Sequence, residues 1–184
     1  MKRFSLSSAL CLLLTACAST QTTTYYQLSD NVFRQPESNK QVSGSLKSVR
    51  VKLADVLNNR SMVYQTSDVS LSFSNHNLWA GKLTQSIENI LANDLNNNTS
   101  QVFYLPQSVS KSSPSIDVYI QRFQGVFDGT VEVAGYAYHL DTQGKIVKII
   151  PFHIKEVQSG DGYAAMANAL SQAVHKLATQ IQAK

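Results

Sequence analysis

The chain has 184 residues, 16 of them Lys or Arg against 12 Asp or Glu, for a formal net charge of +4. That length suits one domain with a substantial core. A charged fraction of 15%, with no basic run and no basic–aromatic patch, argues against nucleic acid as a partner. Cys11 and Cys17 are the two cysteines, so the rest of the chain has no disulfide framework and must be held by its core.

Lys2 and Arg3 precede an apolar run, and Leu14-Thr15-Ala16-Cys17 closes it. A basic start, a short apolar stretch and a small residue before a cut describe a secretory signal. A membrane span needs about 20 apolar residues; Phe4 to Ala16 supplies thirteen, serines and threonines included. The Leu-Thr-Ala-Cys sequence resembles the lipobox of bacterial lipoproteins. In those proteins the signal is cut before the cysteine, which carries a diacylglyceryl thioether and an acylated amino group. The resemblance makes residues 1–16 the signal peptide, with cleavage between Ala16 and Cys17, and Cys17 the acylated (palmitate-type) first residue of the mature chain. Losing Lys2 and Arg3 leaves 14 basic against 12 acidic residues, a net of +2.

Residues 17–24 read as the lipidated cysteine and a small, polar, flexible tether, and residues 25–184 as a single periplasmic domain. From Cys17 to Tyr25 is eight steps, and at about 3.3–3.6 Å each the reach is at most roughly 26–29 Å. The domain is therefore expected to stay close to the membrane that holds Cys17.

In chain order, Tyr25 to Leu28 reads as a short strand and Ser29 to Ser45 as a loop with Pro36 and Gly44. Leu46 to Leu53 alternates like a half-buried strand, with an irregularity near Ser48. Asn58-Asn59-Arg60 reads as a turn, and Met62 to Thr66 and Val69 to Phe73 as strands hinged at Ser67-Asp68. Trp79, Leu83, Ile87, Ile90, Leu91 and Leu95 recur at helical spacing and predict a helix over 76–97, capped by Ser74 or Asn75 and weakened by Gly81. Gln101 to Leu105 is a predicted strand, followed by a Ser/Lys/Pro loop.

Next comes a predicted meander. Its strands are Ile116–Phe127, Thr130–Leu140 and Lys145–Val157, with Asp128-Gly129 as a type I′ turn. Pro151 marks the last of these as an edge strand or a bulge. Tyr163, Met166, Ala167, Leu170, Val174, Leu177, Ala178 and Ile181 stripe a closing helix over 163–182, with Asp161 as its cap. The expected fold is α+β: a single mixed, mostly antiparallel sheet with two long amphipathic helices packed on it.

The search for chemistry is negative. His76, His139, His153 and His175 share no metal-ligand spacing, although His139 and His153 could be neighbours across strands. No Walker loop, dinucleotide loop, nucleophile elbow or His-Glu-x-x-His is present. Gly160-Asp161-Gly162 reads as a helix cap rather than a phosphate loop. Asp117, Asp128, Glu132, Asp141 and Glu156 lie in or beside strands with nothing to pair them. No residue is assigned to catalysis, a cofactor or a metal. Trp79 reads as core, and Tyr136 and Tyr138 share one strand face, as solvent-side packing, a subunit contact or an apolar-ligand surface.

The order of these pieces resembles the PqiC/YmbA family. The residues that carry it are the lipobox, Tyr25-Tyr26-Gln27-Leu28, Val49-Arg50-Val51 with Leu53, and Leu78-Trp79-Ala80. Further along they are Asp117 to Phe123, Phe152, and Asp161-Gly162-Tyr163 before the last helix. Gly81-Lys82-Leu83 departs from the family, which often has an acidic residue and proline there. The resemblance implies an outer-membrane lipoprotein on the periplasmic side, with Ala18 after the cysteine matching the outer-membrane sorting pattern. It implies a non-enzymatic auxiliary or docking component of an ABC-linked, MCE-type intermembrane lipid transport system. Its partners would be an MCE-type periplasmic protein and a membrane permease, with a homo-oligomer left open. A lipoprotein that itself carries an apolar ligand is the alternative; an envelope hydrolase has no residue to support it.

Overall fold

The computed structural model describes residues 21–30, 44–97, 102–109 and 114–183. Cys17, Ala16 and most of the predicted 29–45 loop lie outside them. The strands are β1 (Thr24–Tyr26), β2 (Ser45–Leu53), β3 (Ser61–Ser67), β4 (Ser70–Trp79), β5 (Val102–Pro106), β6 (Ser115–Val126), β7 (Thr130–Leu140) and β8 (Ile146–Val157). The helices are α1 (Leu83–Asn97) and α2 (Gly162–Ala183), with one 3-10 turn at Asp55–Leu57.

All eight strands form one mixed sheet organised around β6. One edge of β6 carries β7 along its length, antiparallel, and β8 follows β7. The other edge is shared: β2 pairs in parallel with Ser115–Ile120, and β3 with Gly125 and Val126. Outside them β5 adds to β2 and β1 to β4, both parallel, while β3 and β4 form an antiparallel hairpin. The long ladders are the antiparallel meander, and the parallel pairings are short.

Alternation explains which face is buried. Val131, Val133 and Ala137 of β7 and Ile150, Phe152 and Ile154 of β8 point to the helices and are buried, while Tyr136, Ile149, Pro151 and His153 face away. Both helices lie on that one face, α1 over β2 and β5 and α2 over β6, β7 and β8, and they pack against each other. The predicted α2 stripe from Met166 to Ile181 is buried throughout, as are Leu83, Ile87, Ile90, Leu91 and Leu95 of α1. Each large side chain so buried contributes roughly 1.5–3 kcal/mol.

Two local expectations are corrected. The helix over 76–97 begins at Leu83, because β4 runs on to Trp79. Trp79 is core, as expected, but as a strand residue packed on Phe123 with ring centroids 5.9 Å apart. Ser74 is not a helix cap. Its Oγ accepts from the backbone N–H of His76 and Asn77 and from Asn77 Nδ2. It thereby holds a bulge in which Phe73 to Leu78 of β4 spans only Val63 to Ser61 of β3.

The 128–129 turn is not type I′, which would need positive φ at Asp128. Only Gly129 has it, at +82°, with its N–H donating to Val126 O. An ordinary turn followed by a left-handed glycine makes the hairpin instead. Asp128 fixes it by accepting from the Thr130 N–H and hydroxyl. Pro151 fits its predicted role, since among the described residues β8 pairs with β7 alone and needs no donor on its outer edge.

Candidate interaction surfaces

The titratable groups sort into local structural ties. Asp117 pairs with Arg50 at 2.9 Å, Glu132 with Arg122 at 2.8 Å and His153 at 2.6 Å, and Glu156 with Lys176 at 2.6 Å. Thus three of the acids with no predicted partner each meet a base across strands or from α2, and Asp128 and Asp141 accept backbone N–H groups in their turns. His139 and His153 are not neighbours: His139 registers with Lys148 and His153 with Ala134, five positions along β7 and on opposite faces. Burial, then Lys47 and Lys148, hold the His139 imidazole below its ordinary pKa. Among the described residues no three His, Cys, Asp or Glu side chains come together to hold a metal.

The buried polar groups complete the backbone around α1. Ser48 and Ala54 donate their N–H groups toward β6, so alternation turns the Val51 N–H to the β5 side, where β5 has already ended at Pro106. Glu88 Oε1 accepts it at 2.9 Å. Burial pushes the Glu88 carboxyl above its ordinary pKa, offset in part by the N–H groups it accepts and by Arg50. Asn96 donates to Tyr104 O and accepts from Tyr104 N, binding β5 to the end of α1. Asp94 meets His175 Nδ1 at 2.6 Å, and His175 Nε2 faces Ser29 O at 3.3 Å, so one imidazole links α1, α2 and the segment after β1. Burial raises the Asp94 pKa, and His175 lowers it in opposition. These geometries stabilise a fold.

Among the described residues two apolar surfaces stand exposed. The first is the sheet face away from the helices. Tyr119, Tyr136 and Pro151 register in one row and Asp117, Tyr138 and Ile149 in the next. The Tyr136 and Tyr138 rings stack at 6.3 Å, so the shared face read from alternation is real and is open to solvent. Sequence reasoning missed the second surface. It is a cleft of about 610 Å³ at the end of the sheet where the β6–β7 turn, the end of β8 and the start of α2 meet. Phe127, Val157, Tyr163 and Met166 supply its apolar wall, and Asp128 and Asp161 its rim. Gly160-Asp161-Gly162 lies here, with Gly162 at φ +88° admitting the chain to α2. Only the register of distant strands brings these groups together, so no local sequence signal marks them.

Comparison with known proteins agrees with this architecture. Residues 26–182 match the family described as ABC-type transport auxiliary lipoprotein component. The chain is 34% identical over 122 residues to the intermembrane transport lipoprotein PqiC of Escherichia coli K12 and, equally, to that of Shigella flexneri. That match takes in 66% of this chain and 64% of those relatives, so it spans just under two thirds of their length. A crystal structure of an uncharacterized protein superposes with a TM-score of 0.72 at 29% identity, over 87% of this chain and 96% of that one. A Xanthomonas campestris protein shares the fold at TM-score 0.70 and 18% identity, over 86% and 92% of the two chains. On the match across residues 26–182 and the 34% identity to PqiC, the chain belongs to the PqiC/YmbA family of ABC-type transport auxiliary lipoproteins.

Proposed function

We propose that this chain is a periplasmic lipoprotein, anchored to the outer membrane through Cys17, that serves as a non-enzymatic docking component for an MCE-type, ABC-linked lipid transport system. The observation that carries the reading is the family match across residues 26–182, joined to a lipobox cysteine only eight residues ahead of Tyr25. Two further features support it. Among the described residues no helix is long and apolar enough to cross a membrane, so an acyl anchor would supply the attachment. The tyrosine-lined face of the sheet offers exposed apolar area of the kind that partners cover.

The test is co-purification. Full-length protein from membranes is expected to bring down an MCE-type protein encoded by the same cell, and Cys17→Ser is expected to fold normally, float free of the outer membrane and lose function. Normal transport and barrier function in a soluble Cys17→Ser strain would overturn the role of the anchor. Failure to recover any MCE-type partner from wild-type membranes would overturn the docking role.

A further inference from the structure

We propose that the domain stands on its membrane by one particular end: the β3–β4 and β6–β7 turns and the end of β8, with Val69, Phe127 and Val157 entering the bilayer interface. This rests on the reading of Cys17 as a lipid anchor and adds to it an orientation and a contact surface.

Three separate segments converge there. β3 and β6 run parallel with Tyr64 beside Gly125 and Gln65 beside Val126, so their C-terminal turns emerge at the same end. Thr130, just past the second turn, registers with Val157, which brings the end of β8 to the same place. Each segment ends in an apolar side chain turned outward: Val69 is 94% exposed, Val157 79% and Phe127 52%. Val69 stands alone at its tip, while Phe127 and Val157 stand out from the wall of the cleft beside α2, and a lipid interface accepts such side chains readily.

The direction of the preceding chain selects this end over the opposite one. β1 lies parallel to β4, with Tyr25 beside Leu78 and Leu78 beside Ser61. Because β4 starts at the β3–β4 turn, the chain ahead of β1 points back toward that turn. From Ser61 to Ser67 is six residues of strand, or about 20 Å. The eight steps from Cys17 to Tyr25 reach at most roughly 26–29 Å. That reach is long enough to bring Cys17 level with the tips without the chain reversing, on the side of the sheet where Val69 lies. The β7–β8 turn at the far end lies opposite to this direction.

Charge selects the kind of surface. Segments 67–70, 127–130 and 158–162 contain Asp68, Asp128 and Asp161 and no Lys or Arg. An anionic membrane would repel this end, so its contact is apolar and fits a zwitterionic headgroup layer. Three side chains of this size orient a domain and do not hold it; stable attachment needs the acyl chains.

The test uses the mature lipidated protein in phosphatidylcholine vesicles, with amide hydrogen exchange compared between the free Cys17→Ser chain and the vesicle-bound chain. Slowed exchange is expected in segments 67–70, 127–130 and 157–160 and unchanged exchange at 141–144. The triple variant Val69→Ser, Phe127→Ser, Val157→Ser is expected to lose that protection while still floating with vesicles, and added phosphatidylglycerol is expected not to increase it. Mass spectrometry of the N-terminal peptide separates the two readings. An unacylated Cys17 overturns the anchor, and the orientation with it. An acylated chain protected at 141–144, or at neither end, overturns the orientation alone, as does protection that survives the triple variant or grows with phosphatidylglycerol.

Discussion

α1 and α2 lie side by side on one face of the sheet and are held there by different forces. α2 crosses the long antiparallel ladders of β6, β7 and β8, where the strands satisfy one another's backbone groups. It brings an apolar stripe that includes Leu170, Val174 and Leu177, all fully buried. α1 lies over β2 and β5, where the parallel pairing stops at Pro106. There it brings polar side chains as well: Glu88 to the Val51 N–H and Asn96 to both backbone groups of Tyr104. A helix over a complete ladder needs only shape and hydrophobicity. A helix over an incomplete ladder must also finish it, since a buried backbone group without a partner costs about 1–3 kcal/mol.

The contrast is sharpest when each device is removed. Leu170→Ala in the α2 stripe is expected to cost about 2–5 kcal/mol by leaving a cavity, measured by urea unfolding. Gly135→Ala comes next. The β6 bulge between Ile120 and Arg122 lies opposite Gly135, and a Cβ there collides with the Tyr119 carbonyl oxygen and presses on Phe152. Backbone cannot step aside cheaply, so about 1–3 kcal/mol is expected, read as a lowered Tm.

Asn96→Leu keeps the branched outline of the side chain but strands the Tyr104 N–H and C=O. About 1–3 kcal/mol is expected, with hydrogen exchange faster in β5 and unchanged in β7. Exchange that rises equally in both strands would erase the distinction drawn between the two helices.

The smallest effect is expected at Glu88. Its folded pKa is raised above the ordinary 4.5 by burial, so the folded state holds the proton more tightly than the unfolded state. That contribution to stability is complete below pH 4.5 and is lost as pH rises through the folded pKa. Glu88→Gln retains an acceptor for Val51 and removes the charge. It is expected to match or exceed the wild type near pH 7 and to lose that advantage as pH falls toward 4.5. A variant less stable than wild type at pH 7 would mean that the charge itself strengthens the bond to Val51.

The same two regions differ in how much of them a sequence reader can see. The α2 stripe, the strand Thr130–Leu140 and the edge character of β8 were legible because each is a local pattern: a helical period, an alternation, a proline. The junction of β4 and α1 was not. Trp79 sits four positions ahead of Leu83, a spacing that extends the α1 stripe by coincidence, while β1, whose Tyr26 pairs with Trp79 at this end of β4, is distant in sequence. Glu88 and Asn96 look like solvent-facing polar residues, and only the end of β5 gives them a task. The shared face of Tyr136 and Tyr138 follows from alternation. The meeting of Val69, Phe127 and Val157 depends on the parallel register of β3 against β6, which no local pattern carries.

β6 has one more consequence, and it concerns order in time. Among the described residues β2 and β3 share no ladder; the backbone pairing that joins them runs through β6. A chain made from its N-terminus presents β1 to β5 and α1 first, yet that half has two separate pieces of sheet and nothing to align them. It remains open, and slow to commit, until residues 115–126 arrive. The late meander is thus the template on which the early half is assembled, and a chain cut before Ser115 is expected to remain unfolded by circular dichroism rather than form half a domain.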